Sequence, residues 1–396
     1  PGVSVTQSSG EPGKDIGTIR IRGTGTFNSA EPMYIVDGIE STLNDIDPND
    51  IENISVLKDA ASAAIYGSKA ANGVILVTTK RGKSGKPLVN YHANFGFTQA
   101  TRLPKFFSSA DVATYWNAAL KYQDPNNYTP KYTDEQIQKY RDGTDPNYPN
   151  TDWQDLLYKN AFQHTHNINI NGGSEAVRYM ASVGYQGQDG IIDRYNKKQY
   201  NMRMNLDMNP SERLETNFSM AYTRQDITSP VGAYSNGDTY QIIRLVNRIS
   251  PMVQGKYEDG TYGSISDGNP LAWIEKGGTQ DRMIHNFSGI GSARYSILPS
   301  LSIKGQLSYK LYMEDDDKFT KRVQYDETYA QGTTTKLVKN ERWDRVSADI
   351  LPEFNKSFGL HNLNVLAGFH SELYTFKRTE ASRKDYESTE VDDINA

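Results

Sequence analysis

The chain has 396 residues with 43 basic and 48 acidic side chains, a formal net charge of −5 and 36% hydrophobic residues. Its longest apolar runs fall short of the ~18 residues a helical membrane span needs, which excludes that class but not a membrane β-barrel, whose strands are apolar only at every second position. The near-balanced charge argues against a general nucleic-acid binder, and the absence of Cys excludes disulfides, thiolate metal sites and Cys nucleophiles.

Residues 1–83 are rich in Gly and Ala and carry short apolar runs. Ile19-Arg20-Ile21-Arg22-Gly23 reads as a strand with both arginines on one face. Tyr34-Ile35-Val36 is an apolar strand running into the turn Asp37-Gly38. Asp50 to Asp59, which includes Glu52 and Lys58, reads as another strand. Ala60 to Tyr66 reads as a two-turn helix stopped by Gly67 in the C-terminal cap position. Asn72-Gly73 forms a turn into a last strand, Val74 to Lys80, which includes Thr79. Gly23, Gly38, Gly67 and Gly73 serve backbone geometry in this reading. The basic, turn-rich stretch Lys80 to Pro87 reads as a linker.

From Leu88 to about Lys377 the texture changes to Tyr- and Asn-rich alternation. Tyr200, Met202, Met204, Leu206 and Met208 fall on one face of a strand and Asn201, Arg203, Asn205 and Asp207 on the other. Leu301, Ile303, Leu307, Tyr309 and Leu311 likewise oppose Ser302, Lys304, Gln306, Ser308 and Lys310. The pattern predicts strands over about 88–99, 163–171, 175–188, 197–208, 213–227, 283–297, 301–315, 343–356 and 362–377. Several exceed the ~5–6 residues of a soluble strand and reach the ~9–11 that span a bilayer at a tilt. Tight turns at 172–174, 209–212, 299–300 and 357–361 alternate with long loops, notably about 100–162 and 228–282. That asymmetry is the outer-membrane barrel pattern, with the long loops outside the cell. A large soluble antiparallel barrel, sandwich or propeller would also alternate, but with shorter strands and no such asymmetry.

The first long loop holds a helix opening at Ser108-Ser109-Ala110-Asp111, with Val112, Tyr115, Trp116, Ala119 and Leu120 at helical spacing to pack on neighbours. In the second, Tyr234, Tyr240 and Trp273 are candidate ligand contacts, since exposed rings stack on sugars or peptides. His164 and His166 share a strand face without a carboxylate at ligand spacing, and Asp315-Asp316-Asp317 reads as a solvated acidic loop. No nucleotide-binding or catalytic motif is found, and neither an enzyme nor a cofactor is expected.

The order and spacing of the motifs in 1–83 closely resemble the plug domain of TonB-dependent outer-membrane transporters of the SusC/RagA family. The residues that carry the resemblance are Arg20, Arg22, Gly23, Asp37, Gly38, Asp50 to Glu52, Val56 to Ala60 (Lys58 and Asp59 among them), Ala63 to Gly67 with Tyr66, Ala71 to Ile75 with Asn72 and Gly73, and Thr78 to Lys80. The resemblance implies a mainly β fold, with a small α+β plug at 1–83 and an incomplete antiparallel transmembrane β-barrel at 84–396. About nine strands would be present of the 22 in a plugged barrel of this kind. It implies an internal fragment, without the TonB-binding box and without the later barrel strands. It also implies active import across the bacterial outer membrane, with TonB, a SusD-like lipoprotein lid and outer-membrane lipid as partners, and oligosaccharide or oligopeptide as cargo. Arg20 and Arg22 are expected to seat the plug by pairing with inward carboxylates such as Glu215 or Asp207. Alternatives are a surface receptor or adhesin without transport, and a soluble all-β glycan-binding or glycan-cutting protein.

Overall fold

The computed structural model describes every residue except 1, 8, 15–16, 22, 24–29, 59–66, 233–238, 387–392 and 394–396. Strands β1 (Val3–Thr6) and β2 (Thr18–Ile21) form an antiparallel pair. Next come β3 (Met33–Val36), β4 (Ile39–Glu40), β5 (Ile51–Leu57) and β6 (Val74–Thr79), which make a four-stranded sheet in the order β4-β3-β6-β5. β3 and β6 run parallel at its centre. Their continuous apolar runs bury both faces: Val36, Ile75 and Val77 pack with Ile21 and Ile46 on one side, Ile35 and Val74 with Ala70 on the other. At Gly73, with φ 90°, a Cβ would stand 2.8 Å from Ile21 Cδ1 and 3.1 Å from the Leu57 carbonyl, so only Gly fits the entry to β6. The helix expected over 60–66 lies outside the described residues.

The second sheet is an antiparallel meander. It runs through β7 (Gly85–Thr98), β8 (Ala161–Gly173), β9 (Val177–Asp189), β10 (Asn196–Ser211), β11 (Leu214–Pro230), β12 (Gly278–Leu298) and β13 (Leu301–Thr320). A small hairpin of β14 (Val323–Gln324) and β15 (Ala330–Gln331) precedes β16 (Thr335–Phe358), which pairs along one edge with both β17 (His361–Leu366) and β18 (Phe369–Lys384). The register is continuous from Glu353↔Leu366 to Ile350↔Phe369, so β17 and β18 are one strand. It is interrupted opposite Pro352, whose carbonyl accepts from Ala367 N at 3.1 Å but which has no N–H to return. Among the described residues the wall therefore has nine strands.

Burial in this wall is inverted relative to a soluble sheet. On β10, Asn201, Arg203, Asn205 and Asp207 are buried, while Tyr200, Met202 and Met204 are exposed at 42%, 53% and 36%. The polar face lies against the small sheet. The apolar face, with Ile168, Val183, Phe218, Leu307 and Ile350 among others, is exposed. A polar interior and an apolar exterior suit a wall with hydrocarbon outside and water inside. No helix among the described residues is long and apolar enough to cross a membrane.

Strand ends on one side are joined by turns at 174–176, 212–213, 299–300 and 359–360, and on the other by segments 99–160, 190–195, 231–277 and 321–334. The long segments fold on one another. Helices α1 (Ser109–Gln123) and α2 (Asp134–Asp142) open with capping boxes at Ser108 and Thr133. Helices α3 (Trp153–Leu157), α4 (Thr239–Val246) and α5 (Pro270–Lys276) share one core with Val323 and Tyr325. The packed side of α1 is Ser109, Ala110 and Ala113, against Ile137 of α2. Tyr115 and Trp116, expected to pack, are exposed. Small residues let the two helices close up, and the rings are left outside. Asp315 to Asp317 lie within β13 and not in a loop: Asp316 accepts from Gln280 Nε2 and Asp317 pairs with Lys336.

Candidate functional site: the seat of the small sheet in the wall

The small sheet meets the wall through its acidic turns. The β3–β4 turn needs two residues with positive φ, and Asp37 (48°) and Gly38 (96°) supply them. This turns the Asp37 carboxylate back across β6, where it accepts from Thr79 N at 2.9 Å and from Thr79 Oγ1 at 2.6 Å. The same carboxylate pairs with Arg203 of β10 at 3.3 Å. Arg203 Nε also reaches Asp50 at 3.7 Å, at the start of β5. Asp50 accepts in addition from Ser182 Oγ at 2.8 Å.

Two further contacts flank this centre. Asp47 caps the 3-10 turn Pro48–Asp50, accepting from Asn49 N, and its other oxygen accepts from Asn167 Nδ2 of β8 at 2.9 Å. It sits so close to the wall that a Cβ on Gly184 would lie 2.3 Å from Asp47 Oδ2. Asp45 accepts from Asn286 Nδ2 at 2.8 Å and lies 3.9 Å from Lys310 Nζ, while the Asp45 carbonyl accepts from Thr223 Oγ1. Lys310 also donates to the Glu40 carbonyl, and Arg345 of β16 pairs with the Glu40 carboxylate at 2.6 Å.

The seat is thus acidic on the small sheet and basic on the wall. Arg81, which follows β6 and pairs with Asp207 while donating to Ser219 Oγ, is the exception. Burial pushes the Asp45 and Asp50 carboxyls above the usual carboxylate range; Lys310 opposes this for Asp45, and Ser182 and Arg203 for Asp50. Asp50 Oδ1 and Asn205 Oδ1 are buried without a donor among the described residues. Few apolar side chains cross the seam, so it holds by polar contacts of modest net worth.

The expected pairing of Arg20 with Glu215 or Asp207 is not what the structure has. Arg20 Nη1 donates to its neighbour's carbonyl, Ile19 O, at 3.4 Å. Asp207 is taken by Arg81, and Glu215 stands exposed near the tight-turn end of β11. Arg22, Asp59, Tyr66 and Tyr234 lie outside the described residues. Of the other motif residues, Asp37 and Thr79 meet in the seat, and the Lys80 carbonyl accepts from Asn205 Nδ2 at 2.7 Å. Glu52 is exposed and Lys58 half-buried on β5 and its end. Asn72 Nδ2 donates to the Glu31 carbonyl, and Gly23 and Gly67, like Gly38 and Gly73, have positive φ. Sequence reasoning missed Arg203, Lys310 and Arg345 as seat residues, although their inward positions on alternating strands were readable.

Trp273 is corrected as a ligand candidate: it is buried in the loop core, and its indole N–H donates to Tyr325 OH at 2.7 Å. Tyr240 is 63% exposed on α4. In the same loops Lys256 and Tyr262 OH both bond Glu275; burial, then Glu275, pushes Tyr262 up to about 12. A cavity of about 1030 Å³ opens there, lined by Arg194, Tyr262, Lys276 and Arg322 among others. Among the described residues no group of three or more His, Asp or Glu is placed to hold a metal.

Known proteins match this arrangement. Residues 1–74 match the family model described as "TonB-dependent Receptor Plug Domain". TonB-dependent receptor P26 of Formosa agariphila is 34% identical over 334 residues, covering 81% of this chain and 31% of that protein. TonB-dependent receptor SusC of Bacteroides thetaiotaomicron is 28% identical over 421 residues, covering 93% and 38%. Among solved structures, the RagAB peptide importer in its "open-open" state superposes with a TM-score of 0.79 at 22% identity, covering all of this chain and 46% of that one. The unliganded ferric citrate transporter FecA gives 0.59 at 10% identity, covering 97% and 45%. At such identities the structural likeness is one of fold. The chain spans about a third of the length of the curated relatives it matches.

A wall with its apolar side outward and a folded plug on its polar side defines part of a plugged outer-membrane β-barrel. The chain belongs to the TonB-dependent receptors of the SusC/RagA type, and its place is the outer membrane.

Proposed function

We propose that the protein carrying this chain imports a nutrient across the outer membrane, with TonB pulling the plug from its seat and a SusD-like lipoprotein closing over the outer loops. The plug unit covers 1–83 and the wall the remainder. Cargo is an oligosaccharide or an oligopeptide; the relatives named above include a peptide importer and SusC.

The observation that carries this reading is the chemistry of the seat. Carboxylates of the plug meet Arg203, Lys310 and Arg345 of the wall across a polar seam. Such contacts can be exchanged for water at low net cost, where an apolar seam would have to expose its surface. A plug held in this way blocks the pore yet releases under a pull.

The experiment is uptake of labelled oligosaccharides and oligopeptides by cells expressing the full-length gene, with and without TonB. Uptake that needs TonB supports the reading, and the accepted label names the cargo class. Uptake that persists without TonB refutes coupling, and binding without uptake returns the receptor reading.

A further inference from the structure

The outer face of the wall changes character along each strand, and at one place the change is concentrated. Three cross-strand rows define it. The lowest is Tyr91↔Ile168↔Val183↔Met202↔Tyr222, apolar or aromatic throughout. Next toward the long loops is His166↔Tyr185↔Tyr200↔Arg224↔His285, and above that His164↔Gly187↔Lys198↔Asp226. All these residues are on the apolar side of the wall, away from the plug.

The side chains in these rows are ordered by one another. Tyr91 OH lies 2.7 Å from His166 Nδ1, and His166 Nε2 lies 3.1 Å from His164 Nδ1. This chain turns the remaining nitrogen of His164 over Gly187, where a Cβ would lie only 2.6 Å from it. Gly187, with no side chain, thus leaves room for the His164 ring to lie over β9 beside Lys198, which pairs with Gly187 across the strands. Lys198 is exposed and enters no ion pair among the described residues, whereas Asp226, opposite it on β11, is held by Arg224 at 2.9 Å; Asp189, two residues beyond Gly187 on β9, is exposed at the long-loop end of the same face. The rings of Tyr185 and Tyr200, 5.2 Å apart, stand in the adjoining row. Directly below, Ile168, Val183 and Met202 are more than half exposed.

We propose that this cluster binds the phosphate of a membrane lipid at the long-loop boundary of the apolar band, with His164 and Lys198 on the phosphate and the acyl chains over Ile168, Val183 and Met202. Lys198 supplies a cation, the imidazole N–H and the Tyr185 and Tyr200 hydroxyls supply donors, and the strip beneath is matched to hydrocarbon. The inference rests on the membrane placement of the wall and is independent of transport.

The test is native mass spectrometry of the full-length protein in detergent. It is titrated with dioleoyl phosphatidic acid and with dioleoylglycerol, which has the same chains without the phosphate. The native protein should retain the phosphatidic acid preferentially. Lys198→Gln and the double variant His164→Ala/His166→Ala should each lower that retention about tenfold, the size of one charge-assisted hydrogen bond, and leave dioleoylglycerol retention unchanged. Met313→Ala, on the outer face of β13, should change neither. Heat-modifiable electrophoretic mobility reports folding; if a variant does not fold, Gly187→Ala, whose Cβ would displace the His164 ring, takes its place. Equal retention of the two lipids, unchanged phosphatidic acid retention in the variants, or displacement of the lipid by millimolar inorganic phosphate would overturn the proposal.

Discussion

Arg203 reaches Asp37 at 3.3 Å with Nη1 and Asp50 at 3.7 Å with Nε, so one wall side chain ties two distant turns of the plug sheet. All three side chains are nearly fully buried. Removing the guanidinium leaves two buried carboxylates without their cation. Breaking a buried pair from one side costs on the order of 3–5 kcal/mol, far more than an exposed pair is worth. Arg203→Met should therefore loosen the plug, and Arg203→Lys, which keeps a charge but cannot span both carboxylates, should loosen it less. Leakage of a large antibiotic into cells expressing the full-length variants measures this. A tight Arg203→Met barrel would show that the pair does not hold the plug.

A second test needs no change of charge. At Gly184 a Cβ would stand 2.3 Å from Asp47 Oδ2, whereas at Gly305 it would meet nothing within 4 Å. Gly184→Ala should push the 47–50 turn off the wall at a cost of about 1–3 kcal/mol, and Gly305→Ala should be near neutral. Hydrogen exchange over residues 45–50 should rise in the first variant only.

Acidification should tighten the seat. Burial raises the Asp45 and Asp50 carboxyls above their unfolded values, so the docked plug binds more protons than the released one. Stability then falls as pH rises through the docked values and recovers as pH drops toward the unfolded ones. After correction for intrinsic rates, exchange protection over 45–50 should increase on lowering the pH from neutral toward the carboxylate range. Asp45→Asn with Asp50→Asn should flatten the trend, and protection that decreases on mild acidification in the native protein would contradict it.

What the sequence made legible follows from where hydrophobicity varies. Within the apolar band, Tyr200 to Met208 alternate so cleanly that strand, face and register could be read directly. Above the band both faces of a strand are wet, the period-two signal vanishes, and the strands were predicted too short: β16 starts at Thr335 and β18 ends at Lys384, well beyond the alternating stretches. The seat was legible in part. Asp37 and Thr79 stood out as motif residues, but Arg20 does not make the expected pairing, and Arg22 lies outside the described residues. Arg20 and Arg22 were conspicuous as a pair in a short strand, whereas Arg203 and Lys310 looked like ordinary wet-face residues. Partnership across more than a hundred residues is fixed by how the two sheets dock, and no local pattern encodes it.

The outer loops show the same limit and allow a sharp contrast between two candidates. Trp273 and Tyr240 are both aromatic residues of one long loop, and composition treats them alike. Yet Trp273 is 2% exposed, packed with Ile242, Leu245 and Val323, and bonded through its indole to Tyr325, while Tyr240 projects from α4. Trp273→Ala should remove a core side chain and the indole donor to the Tyr325 hydroxyl, which keeps its bond to Gln331 Oε1, costing about 3–5 kcal/mol of loop stability. Limited proteolysis should then cut within 231–277 much faster, with cargo binding lost as a consequence of unfolding. Tyr240→Ala should leave the cleavage rate unchanged, because its ring supports nothing in the core. If Tyr240→Ala weakens cargo binding while proteolytic resistance is kept, the ring is a contact; if binding is unaffected, it is only an exposed residue of the platform. Fast cleavage of Tyr240→Ala, or none of Trp273→Ala, would mean that the loops are not held by this shared core.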